Sequence, residues 1–239
     1  MKSNSPQDDN MCTQQTKLQL EVGLAKTQQD IEDSFKLVYQ QYRKIGASLK
    51  NDSCMHITLW SLLPQSFIII ARRQQKIVGT ITCVIDSKLG LLMDEIAKPQ
   101  LDTLRQKGRR LCEISADASI DQSAGNPTIL EMYRFGYKLA KEFLGTTDFV
   151  VAVGQRHEKF FKRILFFEQI AEIQAYKKAQ YISSVPLRLD LCKIESLYQK
   201  KYAHRAQWKN LYYYFCQDQK DAFNQNIKYE LSIYQKVRT

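Results

Sequence analysis

At 239 residues, with 13 Tyr and 11 Phe, the chain has enough apolar material for a substantial core and needs no staple of disulfides or metal. A net charge of +10 at pH 7 calls for an acidic partner: an acidic protein, an anionic membrane surface or nucleic acid. The basic residues are dispersed, Arg72-Arg73 and Lys200-Lys201 being only pairs. No zinc-finger or RNA-binding aromatic signature accompanies them, which disfavours nucleic acid.

No apolar run approaches a membrane span; the longest candidate, Ser66 to Ala71, is strand-sized. The N-terminus lacks the charged-then-apolar pattern of a secretory signal. Six cysteines at positions 12, 54, 83, 112, 192 and 216 form no closely spaced pair, and there are 3 His, so no metal site is expected. Cys83 and Cys112 read as small buried hydrophobes, consistent with a reducing cytoplasm.

Residues 1–16 are polar and read as a disordered tail. Leu18 to Val22 alternates and predicts the first strand. Thr27 with Asp30 forms an Asp variant of the capping box, and Ile31, Phe35, Val38, Tyr39 and Tyr42 give a helical stripe ending before Gly46. His56, after a polar loop, is either an active-site group or a packing histidine. Strands are predicted at Ser66 to Ala71 and Ile77 to Ile85, joined by a hairpin turn from Arg72 to Lys76. Gly79 inside the second marks a bulge or a close backbone approach. A helix is predicted from Pro99 to Gly108.

The segment Arg109 to Ile120 reads as a strand. Period-two alternation puts Leu111, Glu113, Ser115 and Asp117 on one face and Cys112, Ile114, Ala116 and Ala118 on the other. Two carboxylates and a hydroxyl make an unusual core face. Burying an unpaired carboxylate is expensive, so such a strand borders a wet cleft, or else turns its polar face to solvent.

Asp121 to Gly125 reads as a loop, and Asn126-Pro127 as a helix start with its cap. The stripe Ile129, Leu130, Tyr133, Tyr137, Ala140 and Phe143 is buried, and Gly145 ends the helix. Phe149 to Val153 is a continuous apolar strand, Arg156 to Leu165 a short basic helix, and further strands are expected near Ala171 to Tyr176 and Val185 to Leu191. From Lys193 onward the chain is helical and rich in Tyr and Lys. Leu197, Tyr198, Tyr202, Trp208, Leu211, Tyr212 and Phe215 are expected to pack back on the domain. This element order predicts an α/β domain around a mixed sheet.

Four segments in order resemble the GNAT superfamily, and within it the bacterial long-chain N-acyl amino acid synthases of the FeeM type, relatives of the acyl-homoserine-lactone synthases. They are Val38 to Gly46; Leu63-Pro64 with the Phe67 strand, Val78-Gly79-Thr80, Asp86 and Gly90-Leu91; Leu104 to Ser115; and Arg156 to Arg163 with Phe167 and Glu168. The resemblance spans roughly residues 18 to 191. It implies a largely antiparallel mixed sheet flanked by helices over residues 17–191, with residues 192–239 as a helical C-terminal extension.

The resemblance implies an N-acyltransferase that moves an acyl group from the phosphopantetheine thioester of acyl carrier protein to the amine of an amino acid or similar small acceptor. Glu113 would be the general base and Ser115 a second catalytic residue. Asp117, Gly79, Thr80, Leu91, Phe160, Phe161 and His157 would bind substrate. Arg105, Arg109, Arg110, Arg156, Lys159, Lys162 and Arg163 are candidates for docking the acidic carrier. Peripheral contact with an anionic membrane suits the same charge.

Three departures stand out. Ala116 occupies a place where the family usually has Arg, and Gly154-Gln155 one where it usually has Asn-Pro. Phe161 stands where GNAT enzymes often carry a Tyr that protonates the leaving thiolate, and Phe has no hydroxyl. The turn Asp121 to Pro127 has one glycine, an acid and a proline that removes an amide donor, poor features for a coenzyme A pyrophosphate. Hence no tightly bound cofactor is expected. A coenzyme-A-dependent acetyltransferase and a non-catalytic carrier-binding module remain the alternatives.

Overall fold

The computed structural model describes residues 20–121, 127–206, 209–217 and 220–238. Strand β1 (Glu21–Leu24) leads into helix α1 (Gln28–Lys44), which opens on the capping box expected from the sequence. Asp30 N–H donates to Thr27 Oγ1 at 3.1 Å, and Thr27 N–H donates back to Asp30 Oδ2 at 3.1 Å. Strands β2 (Ser66–Arg73) and β3 (Lys76–Ile85) form a hairpin. The turn is tighter than the predicted five residues: Gln74 and Gln75 alone make it, at φ +49° and +64°.

Helix α2 (Asp94–Gln106) begins earlier than Pro99. Ala97, at φ −146°, kinks it just before the region where proline restricts the chain, so the first turn has no clean helical period to read. Strand β4 (Leu111–Ser119) precedes helix α3 (Pro127–Lys138), which continues as a wide π-type turn over Leu139–Phe143. The predicted cap Asn126, like most of the preceding loop and Trp208, lies outside the described residues. Strand β5 (Asp148–Gly154) runs directly into helix α4 (Gln155–Arg163).

Then come β6 (Glu168–Gln169), β7 (Gln174–Tyr176) and β8 (Ile182–Asp190), followed by helices α5 (Ile194–Tyr202) and α6 (Lys220–Arg238). The two-residue β6 carries no periodicity and was not foreseen. The sheet is mixed and mostly antiparallel, in the order β1-β2-β3-β4-β5-β8-β6, with β7 also paired to β8. The expected fold class is therefore the observed one.

Burial follows the strand period. Cys83, Cys112 and Ile114 join the core under α3, with Met132 and Tyr133. Val84, Leu111 and Val150 face the other way, under Met93, Ile96 and Leu101 of the α2 region. Leu37 and Val38 of α1 cover Ala118 on the α2 side. Gly79 is a packing glycine: a Cβ there would stand 2.8 Å from Thr128 Cγ2 and 3.0 Å from Met132 Cε, so α3 closes directly on β3.

The C-terminal helices share this core through Tyr198, Tyr202, Phe215 and Tyr234. Glu230 of α6 accepts from Leu24 N–H at 2.9 Å and pairs with Lys26 at 3.0 Å. Tyr234 Oη accepts from Ile68 N–H at 2.9 Å and donates to Ser66 O at 2.7 Å. Helix α6 thus supplies polar partners to the β1–β2 edge.

One parallel pair decides the shape of the middle. β4 and β5 are in register only at Leu111↔Asp148, Cys112↔Phe149 and Glu113↔Val150. An ion cluster fastens this closed end. Fully buried Asp148 accepts from Arg109 Nε at 2.6 Å and Arg188 Nε at 2.7 Å, and Arg109 Nη2 reaches Asp190 at 2.6 Å. Asp148→Ala leaves two arginines without their shared buried counter-charge. A loss of about 3 kcal/mol in unfolding free energy is expected from urea titration, near the lower end of the range for breaking such a pair.

Candidate active site

Beyond Val150, β4 and β5 separate, and the gap is a cavity of about 780 Å³. Its walls include Glu113 to Ser119 of β4, Val151 to Gly154 of β5, Tyr42, His56 and Leu92 on one side, and Arg156, His157, Phe160 and Phe161 of α4. Tyr176, Lys178 and Ile182 to Ser184 contribute from β7, the segment after it and β8. A volume of this size is typical of a small-molecule site. Past Glu113 the β4 backbone has no strand partner on its β5 side, so polar main-chain groups face the gap.

Glu113 sits where the strands part and is 2% exposed. Met93 N–H, at the start of α2, donates to its Oε2 at 2.9 Å. Burial raises its pKa to about 8, against the opposing pull of the Met93 and Leu92 amides and the Lys178 charge. An ordinary glutamate is ionised but only weakly basic at neutral pH; a carboxyl that titrates near 8 is a stronger proton acceptor once ionised.

The amides that hold Glu113 are themselves held. Arg105 donates to Asp86 Oδ2, Asp94 Oδ1 and Asp102 Oδ1, each at 2.7 Å, tying the end of β3 to α2. Asp94 Oδ2 in turn accepts from Leu91 N–H at 2.7 Å.

Asp117 does not share the face of Glu113, which corrects the expectation of simple alternation. Opposite Ile81, β4 carries an extra residue: Thr82 pairs with Ser115 and Thr80 with Ala118. Ala116 takes φ +50° at this bulge. The bulge re-aims the next side chain, and Asp117 accepts from Tyr133 Oη of α3 at 3.2 Å. Burial raises Asp117 to about 6, opposed by the Tyr133 hydrogen bond. Tyr42 of α1 takes a backbone hydrogen bond from Asp117, and its own hydroxyl is pushed up by burial and by the Asp117 and Glu113 charges.

Other expectations divide cleanly. Ser115, Phe160, Phe161, His157 and Arg156 line the cavity. Gly79, Thr80 and Leu91 do not: Gly79 is under α3, Thr80 Oγ1 is spent on Ile69 O at 3.0 Å, and Leu91 is buried beneath α2. All three stand outside the cavity lining. Arg105 and Arg109 are likewise engaged in internal ion clusters, which removes them from the docking set. Arg110, Arg156, Lys159 and Arg163 are exposed, and Lys162 bridges Glu158 at 2.9 Å within α4.

Sequence reasoning missed Tyr42, Tyr176 and Lys178. Tyr42 looked like one more residue of an amphipathic stripe. Lys178 pairs with Glu95 at 3.2 Å and lies 4.7 Å over the Trp60 ring, a contact that only the fold creates. His56, weighed both ways from sequence, lines the cavity, edge-on to Tyr42 at 5.0 Å, with its pKa lowered by burial.

The description of the family "N-acyl amino acid synthase FeeM" matches residues 33–190, from α1 to the end of β8. The chain belongs to this family. It is an N-acyltransferase, as the resemblance implied. Among solved structures, FeeM, an N-acyl amino acid synthase from uncultured soil microbes, superposes with TM-score 0.67 at 17% identity, over 76% of this chain and 95% of that one. TofI, in a ternary complex with an inhibitor and MTA, gives 0.57 at 14% identity over 72% and 91%. The AHL synthase LasI gives 0.52 at 17% over 72% and 90%. No curated protein sequence matches the chain. No helix among the described residues is long and apolar enough to cross a membrane.

The raised pKa of Glu113 fixes the sign of a stability effect in this FeeM-family protein. The folded state holds the proton more tightly than the unfolded chain, so the contribution is complete below pH about 4.5 and is lost as pH rises through about 8. Urea stability of the wild type should therefore fall across that window relative to Glu113→Gln. Parallel pH profiles for the two proteins would show that Glu113 does not titrate high.

Proposed function

We propose that the protein transfers a long-chain acyl group from the phosphopantetheine thioester of an acyl carrier protein to the amine of an amino acid. The observation that carries the reading is Glu113, a buried carboxyl with a pKa of about 8 at the fork between β4 and β5. Family membership supplies the reaction class.

The amine enters after one proton is lost to solvent. It attacks the thioester carbonyl, and Glu113 takes the second proton as the C–N bond forms. Main-chain groups of β4 beside the Ala116 bulge stabilise the oxyanion. The C–S bond then breaks and the thiol departs. Ile45, Leu92, Val151, Phe160 and Phe161 offer the acyl chain an apolar wall. With Ala116 unable to hold a carboxylate, Lys178 is the cation that meets the acceptor's acid group from the opposite wall. Exposed Arg156, Lys159 and Arg163 suit an acidic carrier.

The test is incubation with acyl carrier protein loaded with chains of graded length and a panel of amino acids, read by mass spectrometry, with acyl-coenzyme A as a parallel donor. N-acyl amino acid from the carrier arm is expected. Product only from the coenzyme A arm would transfer the reading to a coenzyme-dependent enzyme. Glu113→Gln should lower turnover by roughly 10²–10⁴-fold, the usual effect of removing a general base. Glu113→Gln should also remove the limb of the wild-type pH–rate profile that titrates near 8. Carrier affinity should weaken with added salt, since exposed charges are screened over about 8–10 Å. Salt-independent binding would remove the α4 charges from docking.

A further inference from the structure

Acyl transfer from a thioester needs a proton at two places. One leaves the attacking nitrogen, and one neutralises the departing thiolate. Glu113 serves the first from the α2 side of β4. The position that resembles the family's thiolate acid, Phe161, has no hydroxyl.

The neighbourhood of Phe161 contains a substitute. The Tyr133 ring meets Phe161 edge-on, with centroids 5.5 Å apart and an interplanar angle of 76°. Tyr133 Oη donates to Asp117 Oδ2 at 3.2 Å. Asp117 and Phe161 both line the cavity. Asp117 reaches this side because of the bulge at Ala116; regular pleating would have left it with Glu113. The two carboxyls therefore address the cleft from opposite faces of one strand. In a tetrahedral intermediate the new nitrogen and the leaving sulfur point in different directions. A nitrogen served by Glu113 places the sulfur toward the other face.

We propose that Asp117 is the acid that protonates the leaving thiolate, with Tyr133 as its positioning residue. The inference rests on the acyl-transfer reading above. As the intermediate collapses, the C–S bonding pair moves to sulfur and the proton on Asp117 Oδ1 follows it. The products are the amide, a free thiol, an Asp117 carboxylate and a protonated Glu113. One proton returns from Glu113 to Asp117 through solvent. Tyr133 occupies Oδ2 as a donor, so it leaves the transferable proton on Oδ1 and steadies the carboxylate after transfer. Burial holds the Asp117 pKa near 6, closer to neutral than an ordinary aspartate.

The discriminating property is the leaving group. Wild type, Asp117→Asn and Tyr133→Phe, each as the full chain, are given one acyl chain on two thiols with a fixed amine. One donor is the pantetheine thioester. The other is an aryl thioester, whose more acidic thiol departs as an anion without help. Asp117→Asn should lose about 10²-fold in turnover on the pantetheine donor, the scale of one positioned acid, and less than tenfold on the aryl donor. Tyr133→Phe should lose a smaller factor on the pantetheine donor alone, in turnover rather than KM.

Equal losses on both donors would overturn the proposal and leave Asp117 a structural or binding group. Tyr133→Phe keeps the ring against Phe161, so it decides the matter if thermal melting shows that Asp117→Asn does not fold. Wild type that releases no thiol with amine from either donor contradicts the acyl-transfer reading itself, a result distinct from loss of donor dependence.

Discussion

The cleft exists because a parallel pairing stops after three residues. β4 and β5 are locked together at Leu111 to Glu113 and nowhere beyond. Asp148, fully buried, holds Arg109 from the start of β4 and Arg188 from β8, so the closed end resists opening. The free ends can then splay without unravelling the sheet. β8 pairs with β5 along all seven residues of the latter and moves with it, carrying β7 and its Tyr176 to the far side of the gap. An internal ion cluster thus holds one end of a single twisted sheet closed while the other end opens a usable space between β4 and β5.

Within that space one strand presents two acids in unlike settings. Glu113 accepts from the α2 amides and feels the Lys178 charge, but burial outweighs both. Asp117 has a hydroxyl donor, and burial moves it less far, to about 6. The bulge at Ala116 separates them onto opposite faces. An L-residue at φ +50° is strained on the order of 1 kcal/mol, and it persists because Thr80, Thr82 and α1 fix the chain on both sides. Regular pleating would have set two carboxyls on one face, where each would hinder ionisation of the other.

Most elements were readable because each obeys a local rule. The Thr27 capping box, the 3.6-residue stripe of α3 and the apolar run of β5 are one-dimensional signals. Glu113 stood out for the same reason, as a charge where the alternation demanded a buried position. The bulge was not readable: Ser115-Ala116-Asp117-Ala118 is compatible with regular alternation, and only pairing with β3 exposes the extra residue. The roles of Gly79, Thr80 and Leu91 failed for a related reason. Their positions in the chain suggested the site, but α3 and α2 lie over them. The arginines failed because charge count says nothing of partners. Arg105 and Arg109 are structural cations, and the difference from Arg156 or Lys159 lies largely in aspartates distant in sequence, Asp86 and Asp94 for Arg105 and Asp148 and Asp190 for Arg109.

The two walls of the cleft differ in how freely they can change. On the α2 side, Arg105 holds Asp94, Asp94 holds the Leu91 amide, and the adjoining Met93 amide holds Glu113. Alteration at any link moves the Glu113 carboxyl, so this wall is tightly constrained. On the α4 side, exposed Arg156, His157 and Lys159 meet solvent at the rim, while Phe161 is locked between Tyr133, Phe160 and Phe167. Changes at that rim leave Glu113 and its amides undisturbed. The α4 rim is therefore the wall that can vary at least cost to the rest of the cleft. The segment carrying Tyr176 and Lys178 is bound to the constrained wall, since Lys178 pairs with Glu95 of α2 at 3.2 Å.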